Sequence, residues 1–127
     1  MRLTVKLLTA RSVQRVLATL EETSVATAMW FNGYVSEHPP LKEGDNFLTG
    51  LLRAQLQHSA EVLSGSEEST ALDRVSPADL ASRIMAQRSA MAAAISTQDG
   101  PLTRFVAVQN VTVLRSHVQR MTYVSGN

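Results

Sequence analysis

Residues 17–34 read LATLEETSVATAMWFNGY, and the break inside that stretch decides the fold. Upstream of it, Leu7, Ala10, Val13, Leu17 and Leu20 recur at three- and four-residue intervals, the spacing of a helical face. Glu21-Glu22 closes the run, and Thr23 or Ser24 is placed to accept a hydrogen bond from the free N–H groups of a second helix. Trp30, Phe31 and Tyr34 follow at once, three of the six aromatic residues in the chain. They read as core on two faces rather than as a ligand cage. A helical hairpin anchored by this cluster is therefore the expected heart of the fold.

Working outward, the first helix covers about 3–20 and the second about 24–38, where Pro39-Pro40 removes two donors and disfavours helical geometry just before it. A third helix is expected over 43–63, with Phe47, Leu48, Leu51, Leu52, Leu56 and Leu63 on its apolar face and Gly50 weakening its middle. The Ser-rich stretch SGSEESTALDRV, Ser64 to Val75, reads as a loop. Ser76-Pro77-Ala78-Asp79 then opens a helix over 76–98 with a serine cap, a proline in the first turn and an acid near the positive end. Asp79 and Arg83 stand one turn apart and can pair. Ala90, Ala92, Ala93 and Ala94 make the next turns slim enough for close helix approach.

Asp99-Gly100-Pro101 is expected to kink this rod before it resumes over 102–124, with Phe105, Val108, Val111, Leu114, Val118 and Met121 at helical spacing. Val106, Val108, Val111 and Val113 favour a strand by propensity. The three-and-four spacing persists for turn after turn while strict alternation does not, so a helix is expected. The fold class that follows is all-α, in one domain spanning 1–127.

Composition narrows the function. The chain has 127 residues, enough for one core, and its 44% apolar content argues against disorder. A net charge of +1 gives no general attraction to nucleic acid or anionic lipid. With no cysteine, disulfides and cysteine-ligated metals are excluded. No apolar run approaches the roughly 20 residues that span a bilayer. The N-terminus is basic and lacks an acid before Glu21, as a targeting peptide would. It has no small-residue cleavage site and runs straight into the capped hairpin, so it reads as mature helix; any transit peptide is expected to have been removed. From Leu102 to Asn127 there are three arginines, Arg104, Arg115 and Arg120, and no acid. A basic rod with apolar residues on more than one face calls for burial against another chain, and a homodimer is the simplest expectation.

Little in the chain suggests catalysis. His38, His58 and His117 are scattered, and no two form a histidine pair at helical spacing, so no metal site is expected. Glu21 and Glu22 are adjacent and point about 100° apart on a helix, which suits solvated acids at a helix end better than a catalytic pair. Phosphate loops, nucleophile elbows and dinucleotide fingerprints are absent from the sequence. The reading is not an enzyme, with no cofactor. Taken alone, Glu22, Arg83 and Arg115 are plain surface charges.

Five segments in fixed order change that. RSVQRVLATLEET (11–23), AMWFNGYVSEHP (28–39), GDNFLTGLL (44–52), ADLASRIMAQRSAM (78–91) and LRSHVQRMT (114–122) together resemble RbcX, the Rubisco assembly chaperone family of cyanobacteria and chloroplasts. The resemblance runs from about residue 3 to 122. It implies an all-helical, arc-shaped homodimer in which a long kinked C-terminal helix makes the antiparallel dimer contact. It also implies that the C-terminal tail of the Rubisco large subunit lies in a groove at the dimer centre, while polar residues at the ends of the arc hold a second surface of the large subunit. By position, the groove falls on Leu7, Ala10, Leu41 and Lys42. The end contacts fall on Thr19, Glu22, Thr23, Arg83 and Arg115.

The chain departs from the cyanobacterial pattern where Leu7 and Ala10 replace the usual tyrosines, in an additional proline, in the long Ser64–Val75 loop, and where Leu114 stands for one of two neighbouring arginines. These departures resemble the chloroplast branch and imply a stromal protein. Two other readings compete: a dimeric helical regulator or signalling adaptor unrelated to Rubisco, and, more weakly, a small helical enzyme using Glu22 and Arg83. Capture of the large-subunit tail peptide separates the first of these from the chaperone; turnover of a small substrate would identify the second.

Overall fold

Five breaks in the sequence set the helix ends. A computed structural model describes residues 2–63, 76–95 and 100–125, with six helices: α1 Arg2–Thr23, α2 Val25–Glu37, α3 Pro40–Glu43, α4 Asp45–Leu63, α5 Pro77–Ile95 and α6 Pro101–Ser125. All regular structure among the described residues is helical, as the apolar spacing requires, and the valine-rich segment 106–113 is helix rather than strand. The expected Ser64–Val75 loop lies outside the described residues.

Each boundary has a local cause. Ser24 sits between α1 and α2 in an extended conformation (φ −156°, ψ 95°), and its carbonyl accepts the Ala28 N–H at 2.9 Å. Its hydroxyl does not cap the helix; it donates to the Thr27 hydroxyl at 2.9 Å, while the Thr23 hydroxyl turns back to the Thr19 carbonyl. The expected side-chain cap is thus replaced by a backbone one. The proline pair ends α2 at His38, and Pro40 starts an extra single turn, α3, that the apolar spacing did not predict. Gly44 ends it at φ 58°, a conformation that favours glycine. Ser76 behaves as expected: its hydroxyl accepts the Asp79 N–H at 3.2 Å, and Pro77 occupies the first turn.

α5 is the central helix, packed against α1, α4 and α6. Its inner stripe, Pro77, Leu80, Ala81, Ile84, Met85, Arg88, Met91 and Ala92, is buried. The main core joins Val13, Val16 and Leu20 of α1, Phe31 of α2, and Phe47, Leu48, Leu51 and Leu52 of α4 to that stripe. A smaller cluster of Val5, Leu8, Met91, Ala92 and Val106 closes the other end. Phe31 is the aromatic residue of the hairpin that is fully buried, edge-on to Phe47 with centroids 6.1 Å apart. Trp30 and Tyr34 are only partly buried and stack along α2, Tyr34 in turn lying over His38 at 4.4 Å.

One expectation is corrected. In place of a kinked rod, α6 returns antiparallel along α5: Val106 meets the Met91–Ala92 end, and Asn110 bonds Met85 and Ser89. Pro101 cannot continue the preceding helix, and Gly100 gives its carbonyl to Arg104 N–H as α6 restarts. Leu102, Phe105, Val106 and Val113 face the bundle, so the outer spacing of Val108, Val111, Leu114 and Val118 is exposed, between 46% and 61%.

Candidate functional site

Three surfaces carry the residues singled out by the sequence. The first is where α3 packs on α1. Leu7 is 53% exposed and Leu41 49% exposed, Lys42 is exposed, and Ala10 is partly buried. The reason lies in the phase of α1. Its buried face is Val5, Leu8, Thr9, Ser12, Val13, Val16 and Leu20, so Leu7 and Ala10 fall outside the face that meets α5. The side of α1 they belong to is held close to α3 because Gly44 has no side chain: a Cβ there would sit 3.2 Å from Lys6 Cγ.

The second surface is the seam between α1 and α5. Thr19 and Arg83 line one depression of about 280 Å³, and Thr23 and Arg83 line the next, of about 340 Å³. Residues sixty or more positions apart thus converge because the two helices run antiparallel. Arg83 Nε is held by Asp79 Oδ2 at 2.9 Å, the pair expected from their spacing, with both side chains about half exposed. At that exposure the pair contributes about 0.5 kcal/mol. Glu22 is exposed on the same end of α1. Arg115 is not brought into this group; it lies on the outward side of α6, exposed.

The third is that outward side of α6, where Val108, Val111, Leu114 and Val118 stand with Arg104 and Arg115. Nothing among the described residues covers this face, and an exposed apolar stripe of this length is unusual on a small helical protein.

Sequence reasoning missed the polar knot beneath these surfaces. Arg88 is fully buried; its Nη1 donates to Asp45 Oδ1 at 2.7 Å and to Thr9 Oγ1 at 3.1 Å, and its Nε donates to Asn110 Oδ1 at 2.6 Å. One guanidinium therefore ties α5 to α1, α4 and α6, the planar fork doing what an ammonium cannot. A signal existed: Arg88 interrupts the apolar stripe of α5 where a leucine would be expected. His38 Nδ1 meets Glu43 Oε2 at 3.2 Å, a link between α2 and α3.

No group of three potential metal ligands comes together among the described residues, and no helix among them is long and apolar enough to cross a membrane. The family model described as RbcX protein matches residues 2–123. Comparison with the curated proteins and with the solved structures returns no significant match. The match takes in all three surfaces and the buried knot, and on it the chain belongs to the RbcX family, a family of Rubisco assembly chaperones.

Proposed function

We propose that this protein is a Rubisco assembly chaperone that works as a homodimer in the chloroplast stroma, holding the C-terminal tail of the large subunit without nucleotide or cofactor. The observation that carries the reading is family membership over residues 2–123. In this reading Leu7, Ala10, Leu41 and Lys42 line the tail groove. Thr19, Glu22, Thr23, Arg83 and Arg115 brace a second surface of the large subunit. The exposed valine and leucine face of α6 supports a dimer, since a second copy is a natural cover for it.

The chemistry is holding rather than turnover. A newly folded large subunit exposes apolar surface that is liable to mispair, and a clamp that covers it lowers that risk. Leucine and alanine in the groove offer apolar contact with no hydroxyl to direct it. Each tail side chain buried there is worth roughly 1.5–3 kcal/mol before ordering costs, which keeps binding reversible. Reversibility is required, because the product must leave.

Capture of a labelled large-subunit tail peptide tests the reading, alongside assembly of large subunits in a cell-free system. Binding by the wild-type protein, weakened by Leu7→Asp, is the expected result. For the end contacts, Glu22→Ala is expected to keep fold, dimer and peptide binding and to lose assembly. A protein that assembles large subunits equally well with Glu22→Ala would remove Glu22 from its role, and failure to bind any large-subunit segment would remove the reading itself, leaving a helical adaptor.

A further inference from the structure

The α1–α5 seam does not stop at Arg83. The depression lined by Thr19 and Arg83 shares Arg15 and Ala90 with a further one of about 330 Å³, which runs on past Leu8 and Arg11 to Ile95. Three hollows thus join end to end into an open trough along most of α1. From Leu8 to Thr23 the helix rises about 22 Å, the length of roughly seven residues of extended chain.

The trough has a distinct chemistry. Ala86, Ala90 and Ala94 recur every fourth residue and make a low floor. All three remain open to solvent instead of serving the close helix approach expected of this segment; Ala92 alone of the alanine run is fully buried. Arg11 and Arg15 stand one turn apart on the wall, both exposed and neither in an ion pair among the described residues. Among the described residues no acid lines the trough until Asp79, which already holds Arg83 at the far end. At the other end Leu8, Met91 and the 65% exposed Ile95 give an apolar stop.

We infer that this trough binds an extended acidic peptide segment, with carboxylates two residues apart on Arg11 and Arg15 and small side chains over the alanine floor. The spacing fits: residues one turn apart on a helix have Cβ atoms about 5–6 Å apart, and alternate side chains of an extended chain are about 6.6 Å apart on one face. Charge complementarity selects an acid-bearing occupant, since the wall offers two exposed guanidinium groups with no ion pair and no carboxylate beside them among the described residues. Low walls and an alanine floor select an extended chain over a helix, whose diameter of about 10 Å with side chains would not seat. The trough runs beside the groove at Ala10 and Leu41: Ala10 lies on the other flank of α1 from Arg15, while Leu7 and Arg11 stand one turn apart, so the control belongs on α3. It shares Arg83 with the end contacts proposed above but does not depend on the identity of that partner.

Fluorescence anisotropy with a labelled short peptide carrying a Glu-Ala-Glu core tests this, with the Gln-Ala-Gln peptide as control. Expected are saturable binding of the acidic peptide, weakened by salt, and at least roughly tenfold weaker binding on Arg15→Glu, equivalent to about 1.4 kcal/mol. Ala90→Trp, which fills an exposed floor position, is expected to abolish binding while circular dichroism and melting stay unchanged. Leu41→Asp, on α3 and away from Arg11 and Arg15, is expected to leave it intact. Unchanged binding on Arg15→Glu, or loss on Leu41→Asp, would overturn the inference. So would conversion of a dimer to a monomer by Ala90→Trp, because a second copy would then be the occupant. Peptide binding without large-subunit capture would count against the chaperone reading alone.

Discussion

Gly50 and Tyr34 show how one atom decides the sign of a substitution. A glycine inside a helix normally costs about 1 kcal/mol relative to alanine. Here a Cβ at Gly50 would overlap the Tyr34 hydroxyl oxygen. The ring cannot swing away easily, being stacked on Trp30 and His38 and set edge-on to Phe47. Gly50→Ala is therefore expected to destabilise the protein by about 1–2 kcal/mol, and to become stabilising in a Tyr34→Phe background, where the oxygen is gone. Urea unfolding of the four members of this cycle checks it; the same sign in both backgrounds would be the wrong outcome. The phenol also reports on pH. Burial, with help from the Glu43 carboxylate and against Arg53, pushes its pKa up to about 12. The native state keeps the proton longer than the unfolded chain, which loses it near 10. Tyr34 thus leaves stability unaffected below about pH 9, and its contribution is lost as pH rises through 10 towards 12. Tyr34→Phe is expected to flatten that part of the melting-temperature profile.

Among the elements, α5 carries the greatest burden, and its weak point is Arg88. Replacing it with methionine keeps volume but leaves the Thr9 hydroxyl, the Asn110 amide oxygen and the Asp45 carboxylate without their donor. Asp45 is 29% exposed and can turn partly to water, so the expected cost is about 3 kcal/mol, below that of a wholly buried orphan charge. Arg88→Lys is expected to recover little of it, since one ammonium cannot reach three partners on three helices. Equilibrium unfolding decides between these, and a near-neutral Arg88→Met would mean that the knot specifies helix position without stabilising it. Five of the six described helices were legible in the sequence because Ser24, Pro39-Pro40, Ser76-Pro77 and Pro101 are local signals; α3 was not, since Gly44 falls inside the helix expected over 43–63. Which face of each turned inward was less so. In α1 the expected face Leu7, Ala10, Val13, Leu17 and Leu20 is fully buried only at Val13 and Leu20, and Val5, Leu8, Thr9, Ser12 and Val16 complete the buried face. Polar residues at core level conceal a buried face from any reading that counts apolar side chains, and Arg88 and Asn110 do so again on α5 and α6.

At the scale of the whole molecule, α6 has two apolar sides and one bundle to bury them in. Val106 and Val113 are fully used within the chain, whereas Val111 and Val118 are more than half exposed. The convergence of Thr19, Thr23 and Arg83 could not be read from their spacing either, because it depends on α1 and α5 lying antiparallel; the resemblance grouped them, and the geometry brings three of the five end residues to one seam. The two sides of α6 predict two different failures. A charge at Val113 enters the core, so Val113→Glu is expected to cost about 4 kcal/mol or more and to unfold much of the protein at 37 °C. A charge at Val111 faces outward, so Val111→Glu is expected to leave helical content intact and act on association. If two copies bury that face, the melting temperature of the wild type must rise with protein concentration, because association stabilises the folded state by mass action. Val111→Glu should remove that dependence and halve the mass seen by light scattering. A wild-type protein whose melting temperature is constant across a hundredfold range of concentration, and whose mass is that of one chain, would leave the outer face of α6 uncovered and the dimeric clamp without its seam.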